Sequence, residues 1–415
     1  MLDRLSLLRS LARPADTRIV LLVLDGLGDL RDAANPRTPL QAARTPNLDG
    51  LTRRGALGRL VPAGTGITPG SGPGHLALFG YDPLAPGHDI GRGVLEALGL
   101  GLEVAPGWIA ARGNFATLAE DGTIADRRAG RIPTAEGERL VAAWNELLQE
   151  EATEGLEIRL HAGEGYRFVL LARDASGSAP LSSDLADTDP QRTGVPPRRL
   201  EAADEGDDAA RRTAARLQPV VDRLGAALTG EERASGFTLR GFSRMPDLPG
   251  FGDLYGLRAG AFAGYPLYRG VASACGMSVH ECGKRIADLL DVVEREWNTH
   301  DFFFLHVKQT DQAGEDGDHA TKLAVIEEVD AQLPRLLELA PDVVAVTGDH
   351  STPAPMRAHS WHPVPLLLQG PLCDVDDCDA FDEVQCARGT LGTLPAAELM
   401  GLLLANAGRL KKFGA

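Results

Sequence analysis

Aromatic residues are scarce, at 5% of 415 residues, too few for the stacking platforms by which proteins hold single-stranded nucleic acid. Positive charge is also short. Against 42 Lys and Arg stand 58 Asp and Glu, a formal net charge of −16. Such a field opposes nucleic acid and anionic lipid surfaces, and it opposes an anionic substrate unless cations or arginines reverse it locally. No apolar run approaches the roughly 20 residues of a membrane-spanning helix. The leucine-rich start, Met1 to Ala15, is interrupted by Asp3, Arg4, Arg9 and Arg13 and has no small-residue cleavage site, so it reads as a short amphipathic helix and not as a leader. Cysteines number five, without a paired C-x-x-C spacing: Cys275 and Cys282 fall in a helix-like stretch, Cys373, Cys378 and Cys386 in an acidic loop. They read as reduced thiols, in keeping with a reducing, cytoplasmic compartment. Neither an internal repeat nor a low-complexity tract is present.

What is there is ordinary globular material, 43% apolar and 24% charged, with 48 glycines and 27 prolines. The length suits one large core and an inserted unit. Four apolar runs stand out: Arg18 to Leu24, Asp301 to Lys308, Asp342 to Thr347 and Val364 to Leu368. Continuous runs of this kind are buried on both faces of a parallel sheet. Helical patterns lie at Thr45 to Arg54, Val279 to Trp297 and His319 to Leu339. Alternating strand and helix predicts an α/β fold, a mostly parallel sheet flanked by helices. Between Val104 and Leu200 the pattern changes to short alternating segments with Asp-Gly and Ser-Gly turns. The spacing predicts a core domain over 1–103 and 201–415 and an inserted smaller α+β domain over 104–200, with Glu201 to Gly230 a helix returning to the core.

Each apolar run ends on, or follows, a ligand-type side chain. The first runs into Asp25, the second into Asp311 and Glu315, the third into Asp349 and His350, and His359 precedes the fourth. In open α/β sheets, ligands gather beyond the carboxyl ends of the strands. Mixed carboxylate and imidazole donors suit Mn²⁺ or Zn²⁺, and a pair of such ions can activate an oxygen nucleophile and stabilise a transferring phosphoryl group. Ser71 lies in Thr68-Pro-Gly-Ser-Gly-Pro-Gly-His75, whose glycines admit backbone N–H groups close to phosphate oxygens. A serine hydroxyl needs a metal or base beside it to attack. His306, inside an apolar run, reads as a core histidine, Glu96 and Asp82 as solvated, and one of His359 and His362 as structural.

The segment Gly70 to Pro83 resembles the nucleophile region of the archaeal-type cofactor-independent phosphoglycerate mutases, members of the alkaline phosphatase superfamily. Further matches run in order along the chain: Asp25-Gly-Leu-Gly-Asp29, Asp126-Arg-Arg-Ala-Gly-Arg131, Asp187-Thr-Asp-Pro190, His306 to Gly314, Thr347 to Pro353 and His359 to Pro365. The resemblance implies an alkaline-phosphatase-like core and two divalent ions, Mn²⁺ first, with Zn²⁺, Co²⁺ or Mg²⁺ as alternatives. One ion is held by Asp25, Ser71, Asp349 and His350, the other by Asp311, Glu315 and His359. It further implies that Ser71 takes the phosphoryl group of 3-phosphoglycerate and returns it to the 2-hydroxyl, a glycolytic isomerase reaction. Arg127, Arg128, Arg131 and Arg167 of the insertion would grip the small phosphorylated carboxylate. Two residues depart from the family pattern: Glu315 stands where it has His, and Arg269 where it has Lys. Gly72-Pro73-Gly74 also replaces more polar residues. A related phosphotransferase or phosphatase acting on another phosphorylated or phosphonylated acid is the alternative reading, and a metal- or phosphate-binding sensor without catalysis a third.

Overall fold

The apolar runs become strands buried on both faces. In this computed structural model, which describes residues 4–414 except 86, 89, 151, 152, 154, 178 and 179, the strands in chain order are β1 (Ile19–Leu24), β2 (Ala56–Val61), β3 (Ile109–Leu118), β4 (Ile124–Asp126), β5 (Leu156–Ala162), β6 (Arg167–Asp174), β7 (Gly236–Ser243), β8 (Ala259–Ala263), β9 (Ser278–His280), β10 (Phe302–Val307), β11 (Val343–Thr347), β12 (Val364–Gln369) and β13 (Gly392–Pro395). The expected N-terminal helix is present over Arg4–Leu11; Met1 to Asp3 lie outside the described residues. None of the described helices is long and apolar enough to cross a membrane.

The chain forms two units, Met1–Asp89 with Asp247–Ala415, and Ile90–Pro246. The first holds an eight-stranded sheet in the order β13-β2-β12-β11-β1-β10-β8-β9. Only β12 runs against the others: it pairs antiparallel with β11 and β2, while β1 pairs parallel with β10 and β11. The register sets Leu24 opposite Val307 and Val23 opposite Thr347, so the residues just beyond these strands emerge at one level of one edge. Because β12 is reversed, its N-terminal end lies at that same edge, and the segment before it arrives there too.

Helices cover the sheet with apolar stripes. Ile286–Glu296 buries Ile286, Leu289, Leu290 and Val293 against Phe262, Phe303 and Leu305. It starts later than the Val279 expected, because Ser278–His280 is taken up as edge strand β9 beside β8. Cys282 therefore lies in a connection and not in a helix, and Cys275 caps the helix Pro266–Ala274. All five cysteines are free thiols.

The second unit is a five-stranded sheet, β4-β3-β6-β5 with β7 also on β3, whose pairs are antiparallel. Its core is built on aromatic rings: Phe115, Trp144, Phe168 and Phe237 pack with ring centroids 5.0–5.8 Å apart. The unit is wider than the 104–200 expected. The helix Asp208–Ala226 does not return to the first unit; it buries Leu217, Val220 and Leu224 in this aromatic core. Strand β7 completes the sheet, and Gly91 and Gly93 approach Ser243 and the Ala110 carbonyl too closely for a Cβ. Nothing in composition marks these edges, since they are set by long-range pairing.

One core carboxylate carries a pH signature. Glu383 accepts a hydrogen bond from Thr38 Oγ1 at 2.7 Å on one oxygen, while its other oxygen is buried without a donor. Burial pushes its carboxyl from the ordinary 4.5 up to about 7 despite the Thr38 bond. The folded state thus holds this proton more tightly than the unfolded chain, so the contribution to stability is complete below pH 4.5 and lost as pH rises through about 7. Glu383→Gln should therefore gain on the order of 3 kcal/mol relative to wild type between those limits. Urea unfolding across the range measures this, and parallel pH profiles for the two proteins would refute it.

Candidate active site

At the shared sheet edge Asp25, Asp311 and Asp349 are all fully buried. Asp25 follows β1 and Asp349 follows β11, while Asp311 sits in the first turn of the helix Gln309–Asp316 after β10. Burying a carboxylate without partners costs several kcal/mol, so the compensation identifies what the site is built for.

Asp25, Asp349 and His350 form one group whose donor atoms all lie within 4.8 Å of one another. His350 Nε2 is 3.3 Å from Asp25 Oδ1 and 3.2 Å from Asp349 Oδ2, and 3.4 Å from Ser71 Oγ. Ser71 is the first residue of the helix Ser71–Leu78. The fourth, Gly74, passes so close that a Cβ would meet the Asp349 carbonyl oxygen at 2.5 Å, so glycine there is what lets the serine reach the carboxylates. Both oxygens of Asp25 and Oδ2 of Asp349 are buried without a hydrogen-bond donor. Oxygens that meet an ammonium and ring nitrogens at 3.1–3.3 Å but make no well-formed hydrogen bond fit a divalent cation, which satisfies them without donated protons.

A second group comprises Asp311, His350 and His359. His359 Nε2 lies 3.4 Å from Asp311 Oδ1, and its ring stacks on His350 with centroids 3.7 Å apart. Its Nδ1 faces the Pro69 carbonyl oxygen at 3.2 Å, which ties the Ser71 loop to the same edge. Glu315 is set apart from this group. Its Oε1 stands 3.7 Å from His359 Nε2, and its side chain is 52% exposed where that of Asp311 is wholly covered. His350, expected in one group, belongs to both. His362 turns away to Ser360 Oγ at 3.0 Å, the structural member of its pair.

Residues not anticipated as site members surround these groups. Lys308 Nζ is 3.1 Å from Asp25 and bonds Asp311; burial would lower its pKa, but the two carboxylates win and raise it. His75 Nδ1 lies 3.2 Å from Asp349 Oδ2; burial again opposes, and Asp349 lifts its pKa. Burial would raise Asp25, but Lys308, His306 and His350 hold it well below the carboxylate range. His306 is a core residue as expected, yet its Nε2 is also 3.2 Å from Asp25 Oδ2. Tyr268 stacks on His306 at 3.6 Å. Burial, with Asp25 and Asp349 nearby, raises its phenol pKa strongly, so it stays protonated. Arg269, next in sequence and anticipated as a site residue, has a buried Nε without a hydrogen-bond partner and faces Glu281 at 3.9 Å.

The loops carrying the carboxylates are fastened by a buried lysine. Lys322, from the helix His319–Glu338, donates to the Gly26 carbonyl at 2.8 Å, the Thr352 carbonyl at 2.9 Å and Asp29 Oδ2 at 2.7 Å. Thr352 Oγ1 in turn donates to Asp311 Oδ1 at 2.5 Å, and Thr310 Oγ1 to the Asp25 carbonyl at 2.6 Å. Gly26 has φ of 63°, and a Cβ there would meet Thr352 Oγ1 at 2.4 Å.

In the second unit, Arg128, Arg131 and Arg167 line one depression with Glu164 and Tyr166. Arg127 is withdrawn from it, held bidentate by Asp189 at 2.7 and 3.0 Å. Arg112 and Arg240, register partners on β3 and β7, were not anticipated. Their Nε atoms and that of Arg167 are buried without acceptors. Glu96, expected in solvent, is 12% exposed and faces Arg112 at 3.8 Å. Burial and then the neighbouring Arg167 and Arg92 push Arg112 below its ordinary pKa, against Glu96. Arg240 also stands 3.5 Å from both Asp187 and Asp189, so among these groups it is Arg128, Arg131 and Arg167 that line the depression as an anion-holding patch.

Lys322→Met should cost about 3–5 kcal/mol, because it strands Asp29. The double variant Lys322→Met/Asp29→Asn should recover much of that loss in urea unfolding. A double variant no more stable than the single would show that the pair does not act as a unit.

Residues 52–232 match the sequence pattern of a family described as 2,3-bisphosphoglycerate-independent phosphoglycerate mutase. Proteins of Thermotoga neapolitana and Thermus thermophilus, each named as a probable 2,3-bisphosphoglycerate-independent phosphoglycerate mutase, are 47% and 45% identical to this chain, with all of each chain covered. Among solved structures, a Pyrococcus horikoshii protein superposes with a TM-score of 0.80 at 28% identity, covering 96% of this chain and 99% of its own. A cofactor-independent phosphoglycerate mutase from Thermoplasma acidophilum gives 0.68 at 29% identity, covering 94% and 100%. Identity of this degree from end to end shows that the chain belongs to the 2,3-bisphosphoglycerate-independent phosphoglycerate mutase family.

Proposed function

We propose that the protein interconverts 3-phosphoglycerate and 2-phosphoglycerate through a phosphorylated Ser71. The observation that carries this reading is Ser71 Oγ at 3.4 Å from His350 Nε2, beside the buried oxygens of Asp25 and Asp349 that make no hydrogen bond. A hydroxyl in that place can serve both as a metal donor and as a phosphoryl acceptor. Asp25, Asp349, His350 and Ser71 would hold one divalent ion, and Asp311, His359 and Glu315 the other, with Mn²⁺ favoured by the mixed donors. Ions held there supply the positive charge that lowers the pKa of the serine hydroxyl and neutralises the phosphoryl oxygens.

The chain's own groups do the rest. Ser71 Oγ forms a bond to phosphorus as the bond to the 3-oxygen of glycerate breaks, and the 3-oxygen gains the proton that the serine gives up. In the return step the 2-oxygen forms a bond to phosphorus as the bond from phosphorus to Ser71 Oγ breaks, and the proton lost by the 2-hydroxyl restores the serine hydroxyl. The amides of Ser71 and Gly72 at the start of the helix Ser71–Leu78 have no side-chain cap and favour the negative charge of the transferring group. Lys308 adds a fixed cation beside Asp25 and Asp311. Arg167, with Arg128 and Arg131, is assigned to the substrate's anionic groups, and Arg112 and Arg240 to the support of that patch. Arg127, spent on Asp189, is assigned a positioning role. Arg269, with its unpartnered Nε, is assigned to the phosphoryl group.

The test is a coupled assay for 2-phosphoglycerate with Mn²⁺, Zn²⁺, Co²⁺ or Mg²⁺, run beside a measurement of free phosphate. Ser71→Ala should lower turnover by at least about a thousandfold while the protein retains bound metal. Free phosphate without 2-phosphoglycerate would make the protein a phosphatase and overturn the mutase reading.

Arg167→Ala should raise KM for 3-phosphoglycerate by roughly tenfold or more, as expected when a charged hydrogen bond to an anion is lost. An unchanged KM would remove Arg167 from the substrate site.

A further inference from the structure

A second cluster of metal-type donors lies away from the site described above. His280 ends the edge strand β9, His300 stands two residues before β10, and Glu296 closes the helix Ile286–Glu296. Their donor atoms all fall within 4.8 Å of one another. His300 is at the opposite end of β10 from Lys308, so the strand's six residues, about 20 Å of chain, separate this cluster from the buried aspartates.

From these contacts we infer that His280, Glu296 and His300 form an additional site for a borderline divalent cation, Zn²⁺ by preference, that pins strand β9 to the body of the sheet. Two neutral imidazoles and one carboxylate, with a position left for water, are a donor set that Zn²⁺ accepts. The two Nε2 atoms point at each other across 2.8 Å. Tetrahedral coordination at the usual Zn–N length needs about 3.3 Å between them, so the rings have to part by about half an ångström.

The rings are already oriented for this. The His280 ring stacks flat on Phe262, 4.8 Å between centroids with an interplanar angle of 4°. The His300 ring lies over Gly260, where a Cβ would come within 2.6 Å of it; the glycine makes the place for the imidazole. Glu296 Oε2 accepts a hydrogen bond from Thr299 Oγ1 at 3.1 Å, which steadies the carboxylate. Burial holds both histidines below their ordinary pKa, His300 further lowered by His280, so both rings are neutral and have lone pairs to offer. Without a cation, two neutral imidazoles can share one proton between the facing nitrogens, a single hydrogen bond. With one, three donors from three separate elements are joined. The element that gains is an edge strand of only three residues, the part of a sheet most prone to fray or to pair with another chain.

The full-length protein, stripped by chelator, is titrated with Zn²⁺ against a chromogenic competitor. Wild type should hold one more equivalent than His280→Gln, and Glu296→Gln should weaken that equivalent by roughly tenfold. Zn²⁺ should also raise the melting temperature of wild type more than that of either variant. Glu296 is only partly buried, so Glu296→Gln serves where His280→Gln fails to fold, and circular dichroism checks both. Equal zinc stoichiometry and affinity in wild type and the folded variants would overturn the assignment. Asp349→Asn should remove a different equivalent, so the outcome here is independent of the mutase assignment.

Discussion

Three aspartates sealed from water at one edge of a sheet set the terms for the rest of this structure. Their burial costs far more than any single hydrogen bond returns, and the surrounding groups are arranged to offset it. Lys308 lies between Asp25 and Asp311, His75 and His350 meet Asp349, and His306 reaches Asp25. Even so, oxygens of Asp25 and Asp349 remain without donors. Among the described residues only one ammonium stands directly against these three carboxylates. The deficit would favour a cation at this place, since the folded chain has already stripped the carboxylates of water.

Such a site can be assembled only if several distant segments end at one level. The parallel pairing of β10, β1 and β11 brings Asp25, Asp311 and Asp349 to a single edge, and the reversal of β12 adds His359 from the far side of the sequence. Close approach then falls to small residues and to one buried cation. Gly26 and Gly74 admit neighbours that a side chain would push away. Lys322 replaces water for two carbonyl oxygens and Asp29 at once. A buried lysine contributes through what it joins, and here it joins the loops on which two of the three aspartates ride.

Much of this was legible before any coordinates. The double-faced apolar runs gave the sheet, and Asp25, Asp311, Asp349, His350 and His359 declared themselves by standing just past or just before those runs, where a charge needs a reason. Lys322, Tyr268 and His75 were not legible. Lys322 lies on a helix whose pattern reads as ordinary, His75 ends a segment that drew notice only for its serine and glycines, and only the packing shows that Lys322 points inward or that Tyr268 covers His306. Glu96 failed for the converse reason, an acid on a helix read as solvated although it is largely covered and faces Arg112 of β3. The edges of the second unit at Ile90 and Pro246 were hidden because β7 and the helix Asp208–Ala226 join it through contacts distant in sequence, which no local composition announces.

The two ligand groups are not equivalent, and the difference bears on Glu315. Asp25, Asp349 and His350 are wholly enclosed, so any charge placed among them is weakly screened and strongly felt. In the other group Asp311 is enclosed, but one of its oxygens already accepts from Thr352, His359 is 22% exposed and Glu315 52%. A carboxylate so well hydrated gives up more on binding an ion, and its attraction is more heavily screened. A glutamate in place of the family's histidine therefore adds negative charge where water can still answer it, not in the enclosed pocket where it would be hardest to bear. The substitution is tolerable at this position for the reason that the same change at His350 would not be: position 315 lies at the open side of the site, whereas His350 lies in the enclosed group, beside Ser71.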